Sequence, residues 1–388
     1  MSKTTETHEI YIEDILCQGS KRGKRVCGDY FLCERSPEST ISILCDGLGS
    51  GIKANLAAIM CASRLKEAIR GEGSLYKACR HVAESMHRAR TEDIPFSAFT
   101  VANILKDGQY TVLSYEMPPP ALITKNQVYL PEQRFFSMGH EVVAEITGRL
   151  RPGEGLLLVT DGVTQAGIGH GRAYGWTAEA MATYADRMRK QGVSDARLAE
   201  CVFQEAGSFS DQGFHDDTTV AALSCRKANA LNILTGPPSV RGLDDTYVRQ
   251  FSALEGTKVV CGSSTAQIVS RVLDRTITAR QLSGSYSQPP MYGIDGFDLV
   301  TEGAVTLNQV YNILGEDPET FDEYSGVTDL CERMQEADVI RFYVGDAVNV
   351  NHATISMKQV GVMPRAVIIP LLEEKLRDMG KVVCQVHW

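Results

Sequence analysis

Four aspartates in this chain of 388 residues share one placement. Asp29, Asp46, Asp161 and Asp216 each stand where a strand-like run meets a turn, with Asp217 beside the last. Three adjoin glycine, in Gly28-Asp29, Asp46-Gly47 and Asp161-Gly162. If the strands that carry them are neighbours, their ends bring the carboxylates together. Carboxylates at close quarters repel one another unless cations neutralise them. A set of oxygen donors without His or Cys selects Mg2+ or Mn2+ over zinc. A pair of such ions acidifies a water and polarises a phosphoryl oxygen. Taken singly, an Asp-Gly pair reads as a turn, and Asp216-Asp217-Thr218 as a polar loop or a helix cap. The set points to a metal site where its members alone do not.

The elements that must position these residues can be read from the apolar pattern. Strand-like runs are expected at 8–17, 26–32 and 41–45, the last leading into Asp46-Gly47-Leu48-Gly49-Ser50-Gly51. A helix follows over 52–69, where Ile52, Leu56, Ile59, Leu65 and Ile69 recur near the helical period. A second helix is expected over 74–90, with Ser74 as its cap. Short strands then succeed one another from Ser97 to Leu130, parted by turn signals such as Lys106-Asp107-Gly108. Further strands at 142–151 and 155–160 end on Asp161, helices are expected near 177–191 and 195–206, and a last strand follows Asp216. This grouping predicts an α+β arrangement, a β-sandwich of two sheets flanked by helices, over residues 1–227. From 228 to 388 strands and helices alternate, which predicts a second α/β domain with a partly parallel sheet.

The chain as a whole sets outer bounds. It is long enough for two or three domains, and its 43% hydrophobic and 22% charged residues suit a folded protein. A net charge of −9 argues against a nucleic-acid partner, since phosphate backbones demand clustered Lys and Arg. The basic run Lys21-Arg22-Gly23-Lys24-Arg25 is a local exception and reads as a solvated loop. No secretory pattern stands at Met1–Glu9 and no apolar run reaches a membrane span, so a cytoplasmic protein without a membrane partner is expected. The 11 cysteines are scattered without metal-ligand spacing and read as reduced thiols, most of them buried as small apolar groups.

The motifs stand in an order that resembles a known family. Gly28-Asp29-Tyr30-Phe31, Cys45-Asp46-Gly47-Leu48-Gly49-Ser50-Gly51, Thr160-Asp161-Gly162-Val163-Thr164-Gln165-Ala166 and Asp216-Asp217-Thr218-Thr219-Val220 are similar to those of the metal-dependent PP2C-type protein phosphatases. The likeness is greatest to the bacterial branch that includes SpoIIE, and it covers about residues 8–225. The supporting segments Met117-Pro118-Pro119-Pro120 and Arg151-Pro152-Gly153-Glu154-Gly155 are similar too. The resemblance implies that Asp46 bridges two Mn2+ or Mg2+ ions, with the Gly47 carbonyl on one of them. It implies that Asp161 and Asp216 complete the other ion's shell and that Asp29 orients bound water. It further implies hydrolysis of phosphoserine or phosphothreonine by in-line attack of a metal-bridging hydroxide. The partner implied is a phosphorylated regulatory protein of the anti-sigma-factor antagonist kind. Two positions depart from the wider family. Leu48 stands where many members carry a histidine proposed as general acid, and His215 is a conceivable substitute. The phosphate-gripping arginine has no certain counterpart among Lys21, Arg22, Lys24 and Arg25.

The resemblance leaves residues 228–388 unexplained. Their sharpest feature is Gly262-Ser263-Ser264-Thr265, a turn between a strand and a helix. It reads either as an anion or small-ligand site on exposed N–H groups and hydroxyls, or as simple helix capping. A regulatory or ligand-sensing domain is expected. Two other readings of the whole chain remain beside a protein phosphatase: a non-catalytic sensor or scaffold, and a phosphate monoesterase acting on a small metabolite.

Overall fold

Strand Leu156-Leu157-Leu158-Val159 is apolar at every position, so both its faces must be covered. The computed structural model shows how; it describes residues 9–91, 94, 96–139, 141–210, 213–281, 289–321, 325–347 and 361–387. The chain divides into two compact units, of which the first, apart from residues 35–37, runs to Lys227 and the second starts at Ala228.

In the first unit the elements are β1 (Ile10–Gly19), β2 (Tyr30–Arg35), β3 (Ser39–Gly47), α1 (Ile52–Glu72), α2 (Leu75–Thr91), β4 (Ser97–Leu105) and β5 (Gln109–Tyr115). They continue as β6 (Ala121–Ile123), β7 (Val128–Tyr129), β8 (Arg134–Met138), β9 (Glu141–Arg149), β10 (Glu154–Val159), α3 (Asp161–Thr164), α4 (Ala178–Lys190), α5 (Asp195–Ser208) and β11 (Thr218–Lys227). One sheet has the order β1-β11-β10-β6-β7 and the other β2-β3-β4-β5-β9-β8. The pairings found between their strands are antiparallel, and β3 lies against β4 with Asp46 opposite Ala98 and Gly47 opposite Ser97.

Alternation along the strands assigns each side chain to a layer. Leu156 and Leu158 of β10 join Leu44, Ile104, Ile146 and Leu223 in a core shared by the two sheets. Leu157 and Val159 point the other way, against Met181 of α4 and Leu198 and Val202 of α5. On the opposite side Ile43 and Cys45 of β3 meet Ala58, Cys61 and Leu65 of α1 and Val82 of α2. The result is four layers, helix, sheet, sheet and helix, and each buried Leu, Ile or Val contributes about 1.5–3 kcal/mol to holding them together.

Helix α1 turns its apolar residues to both sides. Ile52 and Leu56 are exposed, and the buried side carries Ala54, Ala57, Ala58, Cys61, Ala62 and Leu65. Small residues let the helix backbone lie close on β3, so the bulky side chains of its first turns are turned outward. The strand expected over 26–32 also begins later, at Tyr30, which leaves Asp29 in the loop that leads into β2.

The second unit contains β12 (Ala230–Thr235), α6 (Asp244–Ser252), β13 (Thr257–Cys261), α7 (Ser263–Leu273), β14 (Thr278–Gln281), β15 (Met291–Gly293), β16 (Leu299–Thr301), α8 (Ala304–Ile313), α9 (Gly326–Glu336), β17 (Val339–Val344), α10 (Arg365–Asp378) and β18 (Val382–His387). Its sheet has the order β14-β15-β16-β13-β12-β17-β18. The pairs from β16 through β18 are parallel, while β14 and β15 join antiparallel at one edge. Helices α6 and α7 cover one face through Val248, Phe251 and Val269, and α8, α9 and α10 cover the other through Leu307, Leu330 and Leu372. Helix α10 contains Pro370, because burial of Ile368, Ile369, Leu372 and Leu376 outweighs the backbone bond that the proline lacks. Among the described residues no helix is long and apolar enough to cross a membrane.

Candidate metal and phosphate site

The four aspartates come from four chain segments at one end of the sandwich. Asp46 is the penultimate residue of β3, and its carbonyl accepts the Ser97 hydroxyl at 2.8 Å. Asp161 opens the short α3 directly after β10, and Asp216 lies two residues before β11, which pairs with β10. Asp29 is buried between them: its Oδ2 accepts the Thr160 hydroxyl at 2.9 Å and the Thr219 hydroxyl at 2.7 Å. Gln18 of β1 donates to the Asp29 carbonyl at 3.3 Å.

Close packing, not turn geometry, accounts for two of the motif glycines. A methyl group at Gly47 would overlap the carbonyl of Ala54 in α1, and one at Gly162 would overlap the Asp217 carbonyl. The Asp-Gly pairs therefore mark where α1 and the Asp216-Asp217 segment close on the strand ends.

Burial and mutual repulsion raise the affinity of these acids for protons. Loss of solvent drives Asp46 up to about 9, with the charges of Asp29, Asp161 and Asp216 and a hydrogen bond with Asp161 adding to it. Loss of solvent lifts Asp29 to about 7 against the opposing hydroxyls of Thr219 and Thr160. Asp161 is raised by burial too, although its bond with Asp46 and the nearby Lys21 hold it down. Each of these carboxylates thus senses the charge of others in the set, which places the four in one electrostatic site.

Among the described residues no three His, Cys, Asp or Glu side chains stand ready as a ligand group. Protein donors hold several of the aspartate oxygens. Gln165 donates to Asp161 Oδ2 at 2.9 Å, and the Asp217 N–H and the Lys21 ammonium reach Asp216 Oδ1 at 3.0 and 3.4 Å. Two oxygens remain without a partner although fully buried, Oδ1 of Asp29 and Oδ2 of Asp217. Orphaned carboxylate oxygens within a desolvated cluster of acids suit a hard cation, so the donor set fits Mg2+ or Mn2+. The residues that would hold it are Asp46, the Gly47 carbonyl, Asp161 and Asp216, with Asp29 at the inner wall.

Several contributors were not singled out in the sequence. Asp217 is more deeply buried than Asp216, and its Oδ1 accepts the Lys21 N–H at 2.8 Å. Thr160 and Thr219 hold Asp29 and also bond to each other's segment, Thr219 N–H to Thr160 Oγ1 at 2.9 Å. Their place beside motif aspartates was the available signal. Among the four basic candidates, Lys21 is the one whose ammonium reaches the acids. The His215 ring lies tilted against His170 with centroids 4.3 Å apart, and its Nε2 lies 3.0 Å from the Ser210 hydroxyl. It lines a pocket of about 180 Å³ whose wall also includes Gly162, Gln165, Ile168, Phe214 and Asp216.

In the second unit Gly262-Ser263-Ser264-Thr265 begins α7 at the end of β13. The capping reading does not hold, because the cap is Gly262 and no side chain closes the helix end. Thr265 is buried and its hydroxyl accepts the Gly236 N–H at 3.0 Å, which leaves Ser263 and Ser264 exposed.

Two antiparallel sheets between helix pairs, with acids gathered at one end, define the class of the PP2C-type phosphatase folds. Residues 36–226 match the family described as Stage II sporulation protein E (SpoIIE). Among solved structures the chain is similar to the PP2C phosphatase domain, with a fragment of the regulatory domain, of SpoIIE from Bacillus subtilis. That likeness has a TM-score of 0.48 at 18% identity and covers 56% of this chain and 64% of that one, so less than two thirds of that relative is spanned. The chain is also similar to the RsbU and RsbW domains of a Mycobacterium tuberculosis protein, with a TM-score of 0.48 at 16% identity, covering 63% and 69% of the two chains. A third likeness is to RsbX in complex with magnesium, with a TM-score of 0.40 at 18% identity, covering 55% and 100%. A comparison with curated proteins found no match.

Proposed function

We propose that the first unit is a divalent-metal-dependent protein serine/threonine phosphatase acting on a phosphorylated regulatory protein. The observation that carries this reading is the gathering of Asp29, Asp46, Asp161 and Asp216 at one end of the sandwich, with Asp29, Asp46 and Asp161 raised by burial and by neighbouring acids, and with Oδ1 of Asp29 and Oδ2 of the adjacent Asp217 buried and unpaired. The SpoIIE-family match over residues 36–226 supports it.

A hard divalent cation, when bound, supplies the charge that polarises a phosphoryl oxygen and acidifies a water. The chain's own residues do the rest. Asp46, Asp161 and Asp216 supply negative oxygens at the strand ends, and the Thr160 and Thr219 hydroxyls fix the orientation of Asp29. The Lys21 ammonium, held beside Asp216, is the group placed to bind an anionic phosphoester. Leu48 carries no acidic proton, so the leaving alkoxide is protonated by water or by a group other than residue 48.

The test is release of phosphate from phosphoserine and phosphothreonine proteins with Mn2+, with Mg2+ and with chelator. Asp46→Ala should lower the metal-dependent rate by roughly 1,000-fold or more, the scale expected when a group central to an electrostatic site is lost. Activity that survives this substitution, or that ignores the chelator, would refute the assignment. Metal binding without any hydrolysis would favour a scaffold instead.

A further inference from the structure

The first turns of α1 carry an apolar face that lies open to solvent. Ile52, Leu56 and Met60 follow one another at single-turn spacing, with Leu48 in the loop ahead, and they are 67%, 53%, 54% and 62% exposed. Beyond Met60 the outward positions change to Ser63, Arg64 and Glu67. Apolar exposure is thus confined to the half of the helix that adjoins the carboxylates. That half is fixed to the site: the Ala54 carbonyl packs on Gly47, and Asn55 donates to the Cys27 carbonyl at 2.9 Å, two residues before Asp29. A single exposed Leu needs no explanation, whereas three apolar residues at helical spacing with a fourth in the loop just ahead mark an interaction surface.

We infer that the stripe Leu48, Ile52, Leu56 and Met60 docks the phosphoprotein substrate through an apolar surface next to its phosphorylated residue. The inference rests on the phosphatase reading and names the kind of substrate it takes. Continuity decides the occupant, because a protein that brings a phosphorylated side chain to Asp46 lays its adjoining surface over Leu48 and Ile52. Size agrees: three side chains of one helix and one of the loop ahead of it are few beside the roughly 20–30 residues a side of a stable interface. A small apolar patch suits a partner that must leave after each turnover, and a second copy of the chain would need more.

The test uses the full chain and two synthetic phosphoserine peptides. In one the phosphoserine is followed by an amphipathic helix with leucines on one face; in the other each of those leucines is glutamine. Binding is read by fluorescence anisotropy and turnover by phosphate release, with 4-nitrophenyl phosphate as a small control substrate. The leucine peptide should bind at least 10-fold more tightly than its glutamine twin and show a correspondingly higher kcat/KM. The double variant Leu56→Gln, Met60→Gln should lose that preference and still hydrolyse 4-nitrophenyl phosphate at the wild-type rate. Equal use of the two peptides by the wild type would overturn the inference, as would a preference that survives the double substitution. A change in sedimentation with no change in peptide preference would assign the stripe to a second copy and overturn it too. A binding preference without hydrolysis of any substrate would support the docking surface and defeat the phosphatase reading, so the two fail separately.

Discussion

At the scale of single residues, the site is a collection of acids held against their preference for water. Asp29 is the clearest case, because one oxygen is satisfied by two threonine hydroxyls and the other has no partner. An asparagine in its place keeps a carbonyl oxygen for both hydroxyls and removes a desolvated charge. Asp29→Asn should therefore lower phosphatase activity by roughly 100-fold or more while raising the melting temperature of the ion-free chain at pH 8, a trade of stability for function. Activity assays and calorimetry on the same sample check both halves. The pH dependence follows from the same acids. Asp29 and Asp46 are raised to about 7 and about 9 in the folded chain, above the roughly 4 of an unfolded carboxyl. The folded state then holds more protons than the unfolded one, so this contribution to stability is complete below pH of about 4 and is lost as pH climbs through 7 to 9. In the presence of chelator, melting should fall by roughly 5 °C or more between pH 5 and pH 9. Adding Mn2+ should restore more at pH 9 than at pH 5. A flat profile in scanning calorimetry would show that these acids are not desolvated as described.

At the scale of elements, the strands were legible where alternation or unbroken apolar runs announced them, as in β3, β10 and β11. The aspartates were legible as a set because each lies at the end of such a run. Helix α1 was legible in extent but not in orientation. Its apolar spacing announced a helix without saying which side is buried, and the core side is the row of Ala and Cys residues that allows close approach to β3. Periodicity cannot tell a buried face from a docking face when both are apolar. Nor could it show that Gly47 is glycine for packing reasons, since the contact with Ala54 crosses from strand to helix. Gly47→Ala should destabilise the first unit by roughly 1–3 kcal/mol through that overlap, as overpacking does elsewhere. Gly49→Ala meets no neighbour, although its φ of 102° makes any side chain strained there. Urea titration followed by tryptophan fluorescence compares them: Trp176 is buried in the first unit, against Tyr184 and Phe209. If Gly47→Ala left the midpoint unchanged, the closure of α1 on the strand end would be wrong.

At the scale of the molecule, the change of pattern near residue 228 reflects two ways of burying a sheet. Antiparallel strands up to Lys227 stack sheet on sheet, whereas the parallel strands from Ala230 onward are covered by helices on both faces. The elements least legible in the sequence, β14, β15 and α9, lie in this second unit. The two strands are short edge pieces, and α9 is marked mainly by the Ser325–Thr328 capping box. Each unit builds its cores from its own residues. The three described clusters of the first unit draw on positions from Ile10 to Cys225, and the two of the second on positions from Leu231 to Val383. The β1–β11 ladder that closes the first sheet ends at the pair Ile10 and Lys227, so a chain stopping after Lys227 loses none of it. A fragment of residues 1–227 should accordingly unfold in a single cooperative transition in urea. It should also keep the metal-dependent hydrolysis of 4-nitrophenyl phosphate within about threefold of the full chain, because Asp29, Asp46, Asp161 and Asp216 and their supporting hydroxyls all lie within it. A fragment that folds cooperatively but has lost this activity would mean that residues beyond 227 complete the site, and the carboxylate set could then not be the whole of its machinery.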